Sequence, residues 1–228
     1  MAVLIEYHGG CAFRLIKDDF SIVIDPGIIG DSPLISSETP ANAVLVSHVH
    51  DKNFGNAVDI VKKQKAMFFG NIEVIARAQL EGAPSWRLHV LENGVPYELP
   101  YFKVTSFPVR HKKTNEDVIE HSSFLIEFGE LRIAHLGHGI NVSPYEEKEL
   151  DVLMVTINSK EALAPEDALN TLGVIKAKLL IPMDYIEKEI EYFSKNIKYF
   201  IPKVQHMVLK PGDKISIERH ITGELLIE

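Results

Sequence analysis

The sequence predicts an α/β protein in which two β-sheets pack together with helices on their outer sides. Two observations lead there. Strand-like segments come first along the chain and are followed by strands alternating with helices, and this order occurs twice. The chain has 228 residues, 46% of them hydrophobic and 25% charged, enough to bury a sizeable core in one domain spanning residues 1–228. A single cysteine, Cys11, rules out an internal disulfide framework and suits a reducing compartment.

The elements follow in order. Residues 2–6, 12–16 and 21–24 read as strands, with turn residues Lys17-Asp18-Asp19 joining the second and third as a hairpin. Residues 28–40 carry Gly, Ser and Pro and read as a loop. Ala43-Val44-Leu45-Val46 is an apolar strand. Residues 57–65 have helical spacing, with Val58 and Val61 on one side and lysines on the other. The cluster Lys62-Lys63-Gln64-Lys65 reads as the solvated end of that helix, where positive charge complements the macrodipole. A short strand at 67–69 and a helix at 72–80 come next. Strands are expected at 86–91, 95–99 and 102–109, a polar loop at 111–120, and a second hairpin at 123–128 and 131–136. After a strand at 152–157, a helix at 165–176 opens on Pro165, as the first turn tolerates. Residues 179–182 form a buried strand, 187–197 a helix and 204–209 a last core strand.

The most informative run is Ser47-His48-Val49-His50-Asp51-Lys52-Asn53, directly after the strand at 43–46. Alternate residues of a strand share a face, so His48 and His50 can point at one spot where that strand ends. Two converging imidazoles are half of a zinc site. Other potential ligands also close strands: Asp25 after Ile22-Val23-Ile24, His111 after Phe107-Pro108-Val109-Arg110, His138 after Ile133-Ala134-His135-Leu136-Gly137, and Asp184 after Leu180-Ile181-Pro182-Met183. Ligands on the ends of different strands are how a rigid scaffold assembles a metal site.

In these motifs the chain resembles the metallo-β-lactamase superfamily, most closely its ascorbate-phosphate-lactonase-like branch of small hydrolases. Tyr7-His8-Gly9-Gly10-Cys11-Ala12-Phe13 is similar to that branch's opening Gly-His-Ala-x-Phe, and Asp25-Pro26 to its Asp-Pro. The H-x-H-x-D-H run falls on His48 to Asn53, the lone histidine on His111, the Gly-Asp on Gly137-His138, and the Pro-x-His on Pro182-Met183-Asp184. The resemblance implies a four-layer αβ/βα sandwich with the active site along one edge. It also implies that His48, His50 and His111 bind a first metal ion.

The departures bear on the second ion. Lys52 and Asn53 stand where the family has the Asp and His that close its run, and His138 and Asp184 have exchanged the family's Asp and His. Gly10 replaces the opening histidine. Two divalent ions need compensating negative charge in a partly dry cleft. This chain offers Asp184 while adding the Lys52 ammonium, so one metal ion rather than two is expected. Its set is His48, His50 and His111, with His138 as a fourth imidazole or swung away to leave an open position for water. Asp51, one residue early for the family's aspartate, is expected to face elsewhere as a helix cap.

The reading is therefore a metal-dependent hydrolase of a small ester, lactone, amide or phosphate. Asp184 would accept a proton or orient a ligand histidine, and Lys52 would stabilise developing negative charge. Zinc is the expected ion, with manganese, iron or no metal left open. The alternative is a protein of the same fold that no longer hydrolyses and binds a small anionic ligand. His135 reads as a core or supporting residue. His8, His89, His121, His206 and His220 have no constellation and read as structural or surface residues, and Cys11 as a small buried hydrophobe without a partner base. The net charge of -8 and the absence of a basic module argue against nucleic-acid binding. With no signal peptide and no apolar segment approaching a bilayer span, a cytoplasmic protein acting on a small molecule is expected, and self-association is left open.

Overall fold

The computed structural model describes residues 2–110 and 121–228. The strands are β1 (Val3–Gly9), β2 (Ala12–Lys17), β3 (Phe20–Ile24), β4 (Ile28–Ile29), β5 (Ser32–Pro33), β6 (Ala43–Val46), β7 (Met67–Gly70), β8 (Leu88–Val90) and β9 (Pro96–Glu98). They continue as β10 (Phe102–Pro108), β11 (Ser122–Phe128), β12 (Leu131–His135), β13 (Glu149–Thr156), β14 (Lys176–Met183), β15 (Gln205–His206), β16 (Lys214–Arg219) and β17 (Leu225–Ile227). The α-helices are α1 (Asp51–Phe54), α2 (Ala57–Gln64), α3 (Ile72–Leu80), α4 (Pro165–Leu172) and α5 (Glu187–Phe200). The first sheet runs β17-β16-β1-β2-β3-β6-β7-β8 and the second β15-β14-β13-β12-β11-β10-β9.

The four layers follow from the period-2 alternation of the strands. Ile22, Ile24, Ala43 and Leu45 of the first sheet share a core with Val104, Phe124, Ile126, Val152 and Ile181 of the second. The intervening residues Val23, Val44 and Val46 face the opposite way and pack with Phe54, Val58, Val61 and Val74 of α1, α2 and α3. In the second sheet Leu153, Val155 and Leu180 turn outward onto Leu169 of α4 and Ile190 and Phe193 of α5. The expected αβ/βα sandwich is therefore the observed one. No described helix is long and apolar enough to cross a membrane.

Several elements differ from expectation. Residues 86–91 divide into a 3-10 turn, Ser85–Arg87, and the short β8. The expected core strand at 204–209 shrinks to the exposed edge strand β15, which pairs only at Leu179↔Gln205 and Leu180↔His206. Its apolar neighbours divide instead between the clusters: Leu209 joins the core between the sheets, while Val204 packs on the outer one. The chain then returns to the first sheet through β16, antiparallel to β1 with Val3↔Ile217 in register. Helix α4 stops at Leu172, and the loop at 28–40 contains the β4–β5 hairpin.

One buried charge ties the second sheet to β16. The Asp151 carboxylate, inaccessible to solvent, accepts from Lys178 Nζ at 2.8 Å, from the Arg219 guanidinium and from the Arg132 backbone N–H at 2.9 Å. Burial alone would raise its pKa, but Lys178 and Arg219 outweigh burial and hold it below the usual carboxylate range. A depressed pKa stabilises the fold above the unfolded-state value and ceases to do so as pH falls through the folded one. We expect Asp151→Asn to cost about 2 kcal/mol at neutral pH, less than a fully buried pair because Lys178 and Arg219 can reach water. Urea unfolding as a function of pH checks this: the gap between wild type and variant should close below about pH 4. A gap constant down to pH 3 would contradict it.

Candidate metal centre

One edge of the sandwich collects the chemistry. Strands β3, β6, β12 and β14 end there, and β2 and β11, antiparallel to β3 and β12, begin there. Their flanking residues are Asp25, His48, His138, Asp184, Cys11 and His121.

Asp25 follows β3 with a left-handed φ of 45°, which aspartate tolerates better than most side chains. Its fully buried carboxylate accepts from the Ser47 backbone N–H, the Ser47 hydroxyl and Asn53 Nδ2, each at 2.7 Å. The Ser47 hydroxyl has one proton, and a carboxylate only accepts. The 2.9 Å contact of Ser47 Oγ with His48 Nδ1 must therefore be a bond donated by the imidazole. His48 is thus the tautomer with its lone pair on Nε2, the form that ligates a metal. Asn53, which stands where the family resemblance has a ligand histidine, belongs to the support of this first imidazole.

The rings converge. His48 lies 4.8 Å from His50 and 4.2 Å from His121, ring centre to ring centre, and His50 lies 5.7 Å from His121. His138 stands 5.3 Å from His48. His121, read from the sequence as a structural or surface residue, is in fact buried within the cluster. The Ser122 backbone N–H donates to Ser47 O at 2.9 Å and ties the start of β11 to the end of β6. His111 lies outside the described residues.

Next to this cluster is a second group. His138 Nε2 and Asp184 Oδ2 are 3.0 Å apart, so the residues that exchanged the family's Asp and His do meet. Asp184 also has a left-handed φ, 42°, and is fixed by its backbone N–H to Gly10 O at 2.9 Å and by Asn158 Nδ2 to its own O at 3.1 Å. Cys11 completes the group: ligand atoms of Cys11, His138 and Asp184 all lie within 4.8 Å of one another. The sequence reading of Cys11 as lacking a partner base is thus corrected. Burial pushes its thiol pKa up. Burial works against protonation of His138, but Cys11 and Asp184 together raise its pKa well above the ordinary value. His135, in contrast, is a supporting residue. Its Nδ1 accepts from the Gly137 N–H, so its Nε2 donates to Cys11 O at 2.9 Å, and burial lowers its pKa.

Lys52 and Asp51 each form an ion pair. Lys52, half exposed, reaches Glu161 Oε1 at 3.3 Å, and the Glu161 backbone N–H donates to Asn158 Oδ1. That ion pair connects α1 to the loop that fixes Asp184. Asp51 is not a cap: it is the first residue of α1, His50 occupies the cap position, and the Asp51 carboxylate pairs with Arg77 at 2.7 Å in solvent. Such an exposed pair is worth well under about 1 kcal/mol. A cleft of about 800 Å³ lies at the opposite edge, between the β2–β3 turn and the β9–β10 connection. Its cations Lys17 and Lys103 are paired with Asp18 and Glu127, and it gathers no imidazoles.

Among the described residues, the ligand atoms close enough to share one ion are those of Cys11, His138 and Asp184, and the imidazole rings of His48, His50 and His121 gather beside them. Imidazoles suit zinc, iron and related ions, and the Asp25–Ser47–His48 chain is the supporting arrangement that fixes a ligand ring in place.

The sequence and the fold have counterparts. The family model described as a beta-lactamase superfamily domain matches residues 4–184. The chain belongs to the metallo-β-lactamase superfamily. A relative from Heliobacterium modesticaldum, named as a UPF0173 metal-dependent hydrolase, is 24% identical over 237 residues, covering 95% of this chain and 98% of the relative. Another of that name, from Thermus thermophilus, is 28% identical over 191 residues, covering 80% of this chain and 84% of the relative. Among solved structures, the metallo hydrolase Igni18 from Ignicoccus hospitalis superposes with a TM-score of 0.79 at 19% identity, covering 96% of this chain and 99% of that one. The metallo-beta-lactamase fold protein YhfI from Bacillus subtilis gives a TM-score of 0.75 at 14% identity, over 94% and 99% of the two chains.

Proposed function

We propose that this chain is a metal-dependent hydrolase of a small ester, lactone, amide or phosphate, with His48, His50 and His121 as the described residues that hold its cation. One observation carries the reading: three imidazoles converge at a strand end, and the hydrogen bonds of Asp25 and Ser47 leave the first with its lone pair on Nε2. A divalent ion held there supplies Lewis acidity toward the scissile group and acidifies water toward neutrality. The protein's own part is orientation and proton holding. Asp25 locks Ser47 and hence the His48 ring. Asp184 fixes His138 and shares a proton with its Nε2, which places a proton donor and acceptor beside the imidazoles. The names of the relatives support the hydrolase class. The engagement of Lys52 with Glu161 favours hydrolysis over the binding of an anion by that ammonium.

Elemental analysis of protein purified without chelator, paired with an ester, lactone and phosphate hydrolysis panel, tests this. Wild type should carry at least one zinc, manganese or iron per chain, and His48→Ala and His121→Ala should each lose one equivalent of metal and hydrolysis together. His111→Ala in the same assay reports on the ligand that the family resemblance implies. Folded protein that hydrolyses a substrate with no metal, or a His121→Ala variant that keeps the full wild-type metal content, would contradict the proposal.

A further inference from the structure

We propose that Cys11, His138 and Asp184 form a second, thiolate-containing cation site beside the imidazole cluster, suited to zinc or a similar borderline-soft divalent ion. This rests on the reading of His48, His50 and His121 as the first site and extends it. The expectation of a single ion had two grounds: too little negative charge for a second one, and a lysine ammonium in its place. Residues around the site answer both. The Lys52 ammonium is paired with the Glu161 carboxylate at 3.3 Å, which offsets its charge. The missing negative charge is available from Cys11, because a cation that binds the sulfur displaces its proton. One thiolate and one carboxylate neutralise a divalent ion, and electroneutrality is what a buried site requires.

The geometry agrees. Donor atoms around tetrahedral zinc stand about 3.4–3.6 Å apart, from Zn–N and Zn–O near 2.1 Å and Zn–S near 2.3 Å. His138 Nε2 and Asp184 Oδ2 are already 3.0 Å apart with a proton between them, and the trio's donors lie within 4.8 Å of one another. A cation displaces the thiol proton, which leaves to water, and the Nε2 proton, which passes to Nδ1 so that His138 binds as neutral imidazole, while the S–metal, N–metal and O–metal bonds form. The positions are over-determined. Thr156 Oγ1 donates to Gly137 O at 2.7 Å and so can only accept at its 3.6 Å contact with Cys11 Sγ, which orients the thiol. Asp184 is held in its left-handed conformation by Gly10 and Asn158. Because His48 and His138 are 5.3 Å apart by ring centre, the two sites would be neighbours. A thiol–imidazole–carboxylate nucleophile is the competing use of these residues. Cys11 is 2% exposed, which admits an ion far more readily than a substrate carbonyl.

Cobalt titration of the full chain after metal stripping tests the site. Bound cobalt is counted by elemental analysis, and the near-ultraviolet charge-transfer band of a cobalt–thiolate bond is followed alongside. The expected result is two cobalt ions per chain with a saturable thiolate band. Cys11→Ser and Cys11→Ala should abolish the band and one equivalent of cobalt. Asp184→Asn should weaken that equivalent at least tenfold. His121→Ala should lose the other equivalent and keep the band. Wild type that binds cobalt without a thiolate band would overturn this proposal and leave the imidazole site standing. A band that persists while His121→Ala and His48→Ala change nothing would instead overturn the imidazole reading. Rapid alkylation of Cys11 by iodoacetamide in metal-free protein, unaffected by added cobalt, would identify a thiol nucleophile and also overturn the proposal. Circular dichroism and the retained imidazole-site equivalent confirm that the cysteine variants are folded.

Discussion

Replacing Asp25 with alanine should cost about 3–5 kcal/mol, because it strands a backbone N–H, a hydroxyl and an amide, each worth roughly 1–3 kcal/mol when buried without a partner, less some relaxation. The same change should weaken metal binding about 10–100-fold, the usual effect of losing a ligand's supporting group. With Asp25 gone, the Ser47 hydroxyl is free to donate to His48 Nδ1, and the imidazole proton then shifts to Nε2, the wrong nitrogen for ligation. Asp25→Asn keeps the shape but brings its own donors against Asn53, so it should fall between wild type and Asp25→Ala. Urea denaturation and competitive zinc titration read both effects. An Asp25→Ala variant within about 1 kcal/mol of wild type would refute the account of the support.

Gly27→Ala should be as damaging through sterics alone. A Cβ at Gly27 would lie 1.8 Å from the Lys52 carbonyl oxygen and 2.4 Å from its carbon, and neither main-chain atom can rotate away. Gly55, with φ 42°, approaches from the far end of α1, where an added Cβ would meet Gly27 C at 2.4 Å. The chain passes so close that α1 must move, and His50 caps that helix. The expected loss is about 3 kcal/mol or more, at the upper end of overpacking costs. Metal affinity should fall with it. Thermal melts with and without zinc measure the two together, and a Gly27→Ala protein with wild-type melting and metal content would contradict the close packing.

Sequence patterning made the layers legible, because alternation on strands such as Ala43–Val46 shows directly which residues face the other sheet and which face helices. It could not show partners distant in the chain. The alternation of Ile215 and Ile217 is plain enough as a strand, but nothing local says that it pairs with Val3 and Ile5 at the other terminus. Nor could a run of apolar residues at 204–209 reveal that two different cores divide them.

The same limit shaped the site. His48, His138 and Asp184 close strands that run toward the site edge, and ligand-type residues at strand ends are easy to notice. Cys11 and His121 precede β2 and β11, which run the opposite way, so their first residues reach the edge where the neighbouring strands stop. A search for polar residues at the starts of antiparallel strands would have found both. The chain of hydrogen bonds from Asn53 through Asp25 to His48 was hidden for another reason: its members are 22 to 28 positions apart, and only the fold brings them into contact.

The most direct measurement is an anomalous-scattering map of zinc-loaded crystals collected at the metal's absorption edge. The account predicts a peak within bonding distance of His48 Nε2, His50 and His121, with any second peak at Cys11, His138 and Asp184. Zinc bound away from the His48 ring, or a folded, zinc-saturated protein with no peak along this edge, would contradict it.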